Sequence, residues 1–305
     1  MKKPVLFLIF NRPDTTKQVF KAIREYQPKQ LFIAADGPRN KKGLGLCTET
    51  RDIVKNIDWD CELKTLFREK NLGCRDAVSS AIDWFFENVE DGIILEDDCL
   101  PNQSFFTFCE DMLDKYKNDE NIMHIGGNNF QLGRRVTKND YYFSKLNHVW
   151  GWATWKKSWQ KYQIEMEELE PFFKNRKIEK IFKNRKIIKY WSDIFKNVKN
   201  KKIDTWDYQW TYSLWLNDGL SILPSKNLVQ NIGFNNKSTH TTHKPQYIDR
   251  FNKEAKRQNY FKAIRHPSEL KVNSKADERF HKMVKDSLFY RTIRYIKKCK
   301  NEINN

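Results

Sequence analysis

Asp91-Gly92-Ile93-Ile94-Leu95-Glu96-Asp97-Asp98-Cys99-Leu100-Pro101-Asn102 has the pattern of a buried strand that delivers charge to the edge of a sheet. Three apolar residues run into three consecutive carboxylates, and Pro101 then stops the strand. Adjacent acids repel one another, so a fold keeps three of them at an apolar strand end when a cation or another positive group neutralises them. A solvated acidic turn is the bland alternative; a metal site is the expectation adopted.

Upstream, Val5 to Phe10 is a continuous apolar run, as in a strand covered on both faces, and Asp14-Thr15-Thr16 suits the start of a helix running to Tyr26. Leu31 to Ala35 repeats the pattern and ends in Asp36-Gly37-Pro38. A loop over Asn40 to Cys47, a helix over Thr48 to Ile57, a strand over Glu62 to Phe67 and a helix over Arg75 to Asn88 lead back to the acidic stretch. Strands thus recur at the spacing of βαβ units, which predicts an α/β domain with a mostly parallel sheet. In such sheets ligands bind beyond the carboxyl ends of the strands, where Asn11-Arg12, Asp36-Gly37, Arg68 to Arg75 and Glu96 to Asp98 would gather. Neither G-x-G-x-x-G nor a P-loop follows the first strand, which argues against a Rossmann dehydrogenase and a P-loop NTPase.

Downstream, Asn102 caps a helix over Gln103 to Tyr116, and strands are expected over Ile122 to Ile125 and Tyr141 to Ser144. Trp150, Trp152, Trp155 and Trp159 then crowd around Gly151, either as core packing or as rings for stacking on sugar or base faces. Pro171 to Lys202 holds twelve Lys/Arg against two acids and repeats Phe-Lys-Asn-Arg-Lys-Ile at Phe173 and Phe182, which predicts an amphipathic basic helical insertion. Its apolar residues suit packing on the domain or contact with a membrane surface, packing being the safer reading. Asp207 opens a helix running to Asn217, either as a first-turn residue that complements the dipole or as a residue facing the site. Short strands are read over Ser221 to Leu223 and Leu228 to Ile232, followed by a loop holding His240. His281 to Lys300 carries seven Lys/Arg among apolar residues, which suits an anionic bilayer or a peripheral helix.

The 305 residues carry 14% aromatics and ten Trp, too many for a disordered chain. A net charge of +17 fits an anionic partner without choosing one. Six cysteines show neither C-x-x-C nor paired-His spacing, so they read as reduced thiols of a cytoplasmic protein. The apolar run at the N-terminus meets Asn11-Arg12-Pro13 with no small-residue cleavage site, and no run approaches the roughly 18 residues that span a bilayer.

Assembled in this order, the residues resemble those of GT-A fold nucleotide-sugar glycosyltransferases, in particular the N-acetylglucosaminyltransferase I family and its bacterial relatives. The resemblance runs from Val5 to about His243 and is most specific at Ile93-Ile94-Leu95-Glu96-Asp97-Asp98 with Leu100-Pro101. Phe10-Asn11-Arg12 and Ala35-Asp36-Gly37 are similar to its nucleotide-binding loops, while Trp150-Gly151-Trp152, Trp206-Asp207 and Gly233 to His240 match in order and character. It implies a GT-A domain over residues 1–245, with a nucleotide-binding half (1–100) and an acceptor half (101–245) carrying the insertion (165–203), and a basic helical tail over 246–305. It implies a metal-dependent, inverting transfer from a UDP-sugar to a glycan or lipid-linked glycan, as in bacterial surface polysaccharide synthesis. Asp98 would contact Mn²⁺ or Mg²⁺, with Glu96 and Asp97 on the ribose, the sugar or supporting groups; alternation along an extended segment puts Asp97 opposite the other two. Asp36 would accept from the base imide, Asn11, Arg12 and Arg75 would lie near base or diphosphate, and His240 near diphosphate or metal. Asp207 would be the general base, with Asp204 as substitute, and Trp150 and Trp152 would stack on the acceptor.

Two other functions compete. A sugar-nucleotide nucleotidyltransferase shares this sheet type but needs a Gly-rich, Lys/Arg-bearing segment where this chain has Asn11-Arg12-Pro13. A basic nucleic-acid binder would rest on the Lys/Arg stretches, yet no recognised binding motif appears, so no nucleic acid is expected. A cytoplasmic protein with peripheral contact at the inner face of the membrane completes the expectation.

Overall fold

The computed structural model describes residues 2–234, 247–256, 261 and 263–286. In its first third β1 (Val5–Ile9), α1 (Pro13–Tyr26), β2 (Gln30–Ala35), α2 (Leu44–Ile53), β3 (Glu62–Phe67), α3 (Gly73–Asn88) and β4 (Asp91–Glu96) alternate as the sequence predicts. Some boundaries differ: α2 ends at Ile53 in place of Ile57, and α3 opens at Gly73 in place of Arg75. Pro13, whose fixed φ suits a first helical position, opens α1 in place of Asp14. The second helix starts four residues before Thr48, because Asn40 accepts from the Gly43 N–H and folds Lys41–Gly43 into a 3-10 turn that continues into α2.

Then follow β5 (Cys99–Pro101), α4 (Gln103–Tyr116), β6 (Ile122–Gly126), β7 (Tyr141–Ser144) and β8 (Trp152–Trp155). The helices α5 (Lys156–Trp159), α6 (Leu169–Lys174), α7 (Lys177–Ile181), α8 (Arg185–Lys199) and α9 (Asp207–Leu216) precede β9 (Leu220–Pro224), β10 (Val229–Asn231), α10 (Ile248–Ala255) and α11 (Ser274–Asp286). The result is an α/β fold with an eight-stranded, mostly parallel sheet in the order β3-β2-β1-β4-β8-β6-β9-β7. Alternate residues of β1 divide the core between its faces: Val5, Phe7 and Ile9 meet α1 and α4, while Leu6 and Leu8 meet α3 and the helices of the second half.

Two tertiary features escape the sequence pattern. The Trp-rich segment becomes β8, a central strand antiparallel to both β4 and β6. Residues 247–256 and 263–286 are part of the fold and not a tail that begins at 246. Ile248, Phe251 and Ala255 line one face of α10 and are fully buried, while Ala276 of α11 packs on Tyr142 and Leu223. Residues 287–305 lie outside the described residues.

Candidate functional site

β1, β2, β3 and β4 run parallel, with Ile9 level with Ala35, Ala35 with Phe67 and Leu8 with Glu96. Their exit loops therefore meet at one edge of the sheet. Beyond Glu96 the chain turns at Asp97-Asp98 and continues as β5, which pairs with β10 (Asn231↔Cys99, Val229↔Pro101). This small ribbon seats the acids: the Ile232 N–H donates to the Asp98 carbonyl at 2.9 Å, and Gly233 lies flush on the Asp98 side chain. A Cβ at Gly233 would come within 2.2 Å of Asp98 Oδ2, so the close approach requires glycine.

Arg12 neutralises the cluster. Its Nη1 lies 2.6 Å from Asp98 Oδ2 and 3.5 Å from Asp97 Oδ1, and Asp97 Oδ2 also accepts from the Phe10 N–H at 3.1 Å. The turn brings Asp97 and Asp98 to the same guanidinium, where simple alternation would have set them on opposite sides. Among the described residues, all three acids feel the charge of the Arg12 guanidinium. Burial first, then the Asp98 charge, raises both the Glu96 and Asp97 carboxyls; Asp97 and Asp207 add to the effect on Glu96, and Arg12 opposes it on both. Asn11 is half-buried beside Arg12 in the same loop.

Asp36 has a different task from the one expected. Its carboxylate accepts from the Gly37 N–H (2.8 Å), Leu72 N–H (2.9 Å), Asn71 Nδ2 (2.8 Å) and Gly73 N–H (3.2 Å). Four donors fill its acceptor positions, so Asp36 ties the loop after β3 to the end of β2 and is not presented to a base imide. Arg51 closes the same wall by donating to the carbonyls of Asp36 and Arg68. Arg75 is likewise turned away from the acids: its guanidinium pairs with Glu165 and Asp76 and donates to the Ile164 carbonyl. Asp204, the substitute base, caps α3 from a distant part of the chain by accepting from the Cys74 and Arg75 N–H groups.

Asp207 opens α9, accepts from the Thr205 hydroxyl, and its charge acts on Glu96. Trp152 cannot stack on an acceptor: it is fully buried among His124, Trp159, Trp206 and Trp210. Trp150 is half-buried, with Phe130, Phe234 and Phe251 against its ring. His240 lies outside the described residues.

Sequence reasoning missed Asn71, Arg51, Arg39 and Cys74. Arg39 lies over the Phe10 ring at 5.4 Å, and burial pushes the Cys74 thiol up, with Glu96, Asp207 and Asp204 adding to the effect. Arg39 follows Asp36-Gly37-Pro38 directly, which was the available signal.

Among the described residues no group of three or more His, Cys, Asp or Glu is arranged to hold a metal ion. The donor chemistry nevertheless fits one carboxylate contact. Asp98 Oδ2 already faces a cation, and Oδ1 accepts from the weak Cys99 thiol donor at 3.5 Å.

The chain matches no family model and no curated protein sequence. Seventy-three chains of solved structures are similar to it. HddC from Yersinia pseudotuberculosis is 8% identical, with 51% of this chain and 77% of that one covered and a TM-score of 0.32. A cytidylyltransferase from Leptospira borgpetersenii is 12% identical over 53% of this chain and 63% of that one (TM-score 0.34). An apo UDP-glucose pyrophosphorylase is 12% identical over 83% and 98%, with a TM-score of 0.39. Nothing about the reaction follows from likenesses this distant.

Proposed function

We propose that the protein is a glycosyltransferase that moves a sugar from a nucleoside-diphosphate donor, UDP-sugars first among the candidates, to a glycan acceptor with inversion. The observation that supports this reading is the Glu96-Asp97-Asp98 cluster paired with Arg12 at the carboxyl edge of the sheet, with the Asp207 charge acting on Glu96. Arg12 offers a permanent, planar positive charge to a diphosphate. Asp98 holds a divalent cation, Mn²⁺ or Mg²⁺, which when bound supplies charge to the departing diphosphate. Asp207 takes the proton from the acceptor hydroxyl as it attacks the anomeric carbon. The wall tied by Asp36, Asn71 and Arg51 shapes the nucleotide side.

The names of the similar structures stand nearer to a second reading, a sugar-nucleotide nucleotidyltransferase. Against it, β1 leads through Asn11-Arg12 directly into α1 at Pro13, with no Gly-rich segment between them.

Isothermal titration with UDP, with and without Mn²⁺, and a transfer assay with UDP-sugars test the proposal. Asp98→Ala is expected to abolish metal-stimulated UDP binding. Asp207→Asn is expected to keep that binding and lower turnover by roughly 10²- to 10⁴-fold. Near-normal turnover in Asp207→Asn overturns the base assignment, and pyrophosphate release from UTP plus a sugar phosphate establishes the second reading.

A further inference from the structure

Residues 171–202 carry twelve Lys/Arg against Glu179 and Asp193, and the fold sorts them by side. The apolar residues Ile178, Phe182, Trp191, Ile194, Phe195 and Val198 are buried, and α8 packs Trp191 and Phe195 on Trp215 of α9. Lys183, Arg185, Lys186, Lys189, Lys196 and Lys199 remain exposed. At about 100° per residue, the five of these on α8 fall within an arc of about 140° opposite the buried one. Asp193 shares that arc and meets Lys189 at 3.7 Å, an exposed pair that leaves the face strongly positive.

We propose that this cationic face of α8, with Lys183 just before it, docks the protein on a bilayer of anionic phospholipid. The complementarity is one of charge alone. The apolar stripe is already spent on α9, so the helix rests on the headgroups and does not insert. A single-stranded nucleic acid fits less well, because no aromatic ring among residues 171–202 is exposed for base stacking: Phe173 and Tyr190 are half-buried and the other rings buried. Since α8 packs on α9, whose first turn carries Asp207, docking sets the acceptor side of the site near the membrane surface. Vesicle binding is read without any donor, so the proposal stands or falls separately from the transfer reaction.

Sedimentation of the full chain with phosphatidylglycerol-containing vesicles, with pure phosphatidylcholine vesicles and with a structureless RNA tests it. Binding to the anionic vesicles is expected, with release as salt rises from about 0.05 to 0.5 M, where the Debye length becomes shorter than the headgroup contact. The variant Lys183→Gln/Arg185→Gln/Lys186→Gln/Lys189→Gln is expected to bind at least about 10-fold more weakly. Lys183→Arg/Lys186→Arg/Lys189→Arg, which keeps the charge, is expected to bind as wild type. Equal binding to neutral vesicles, wild-type binding by the glutamine variant, or preference for RNA overturns the proposal. If the glutamine variant does not fold, wild-type lipid selectivity and salt release decide it.

Discussion

At the scale of single residues, the candidate site depends on how closely backbone approaches the acids. Gly233→Ala would drive a methyl into Asp98 Oδ2 and displace either the carboxylate or the segment after β10. The expected outcome is loss of metal-stimulated UDP binding by at least about 10-fold with little change in Tm, since the clash falls at the sheet edge and not in the core. Calorimetry and thermal melting check it together. Asp36 shows why a motif alone misassigns a role. The family resemblance implies a base imide for this carboxylate, but the chain brings Asn71 and two backbone N–H groups onto it from thirty-five and more residues away. Trp152 is the same lesson in a ring: its stacking potential is consumed by Trp206, Trp210 and His124.

At the scale of elements, α3 and α9 carry the site's outer wall, and Asp204 couples them. By accepting two N–H groups at the start of α3 from the segment just before α9, it acts as a remote cap. Asp204→Ala is expected to cost about 1 kcal/mol, the usual value of a lost helix cap, visible as a lower urea midpoint at an unchanged m-value. Turnover should fall far less than in Asp207→Asn. A loss of 10²-fold or more in Asp204→Ala would reassign the base to Asp204. β8 explains the remaining architecture. Placed antiparallel between β4 and β6, it joins the parallel first half to the second half and follows Gly151, at φ +67, where a Cβ would come within 2.8 Å of Val229 Cγ2.

At the scale of the whole molecule, three buried histidines set how the fold responds to acid. His124 donates from Nε2 to the His148 carbonyl and accepts at Nδ1 from Trp210, a neutral ring. His148 and His281 are 7% and 6% exposed and pack against Phe280 and Phe182. Burial lowers His124 and His148 to about 3 and His281 to about 4. A depressed histidine contributes stability that is full above its unfolded value near 6.5 and is lost as pH falls toward the folded value. Glu96, Asp97 and Asp277 are raised and so act with the opposite sign, gaining stability as pH falls. The histidine contribution therefore appears in a difference: from pH 7 to pH 5, His281→Phe should gain roughly 2 kcal/mol relative to wild type, measured by urea melts at both values. An unchanged difference would mean that His281 is not buried neutral. The parallel half of the fold was legible because β1, β2 and β4 hold continuous apolar runs at βαβ spacing with β3 falling in the same period, and their exit loops must share an edge. The acidic turn and Arg12 were legible together for the same reason, whereas the sequence left Asp207 open between a first-turn residue and one facing the site. By itself the sequence determined that the three acids and Arg12 belong to one edge of an α/β sheet, since hydrophobic period and strand polarity are local properties. Only the tertiary structure decided which side chains are free to act, because partners such as Asn71 for Asp36, Glu165 for Arg75 and Trp206 for Trp152 arrive from distant parts of the chain, and burial is a property of the packed molecule alone.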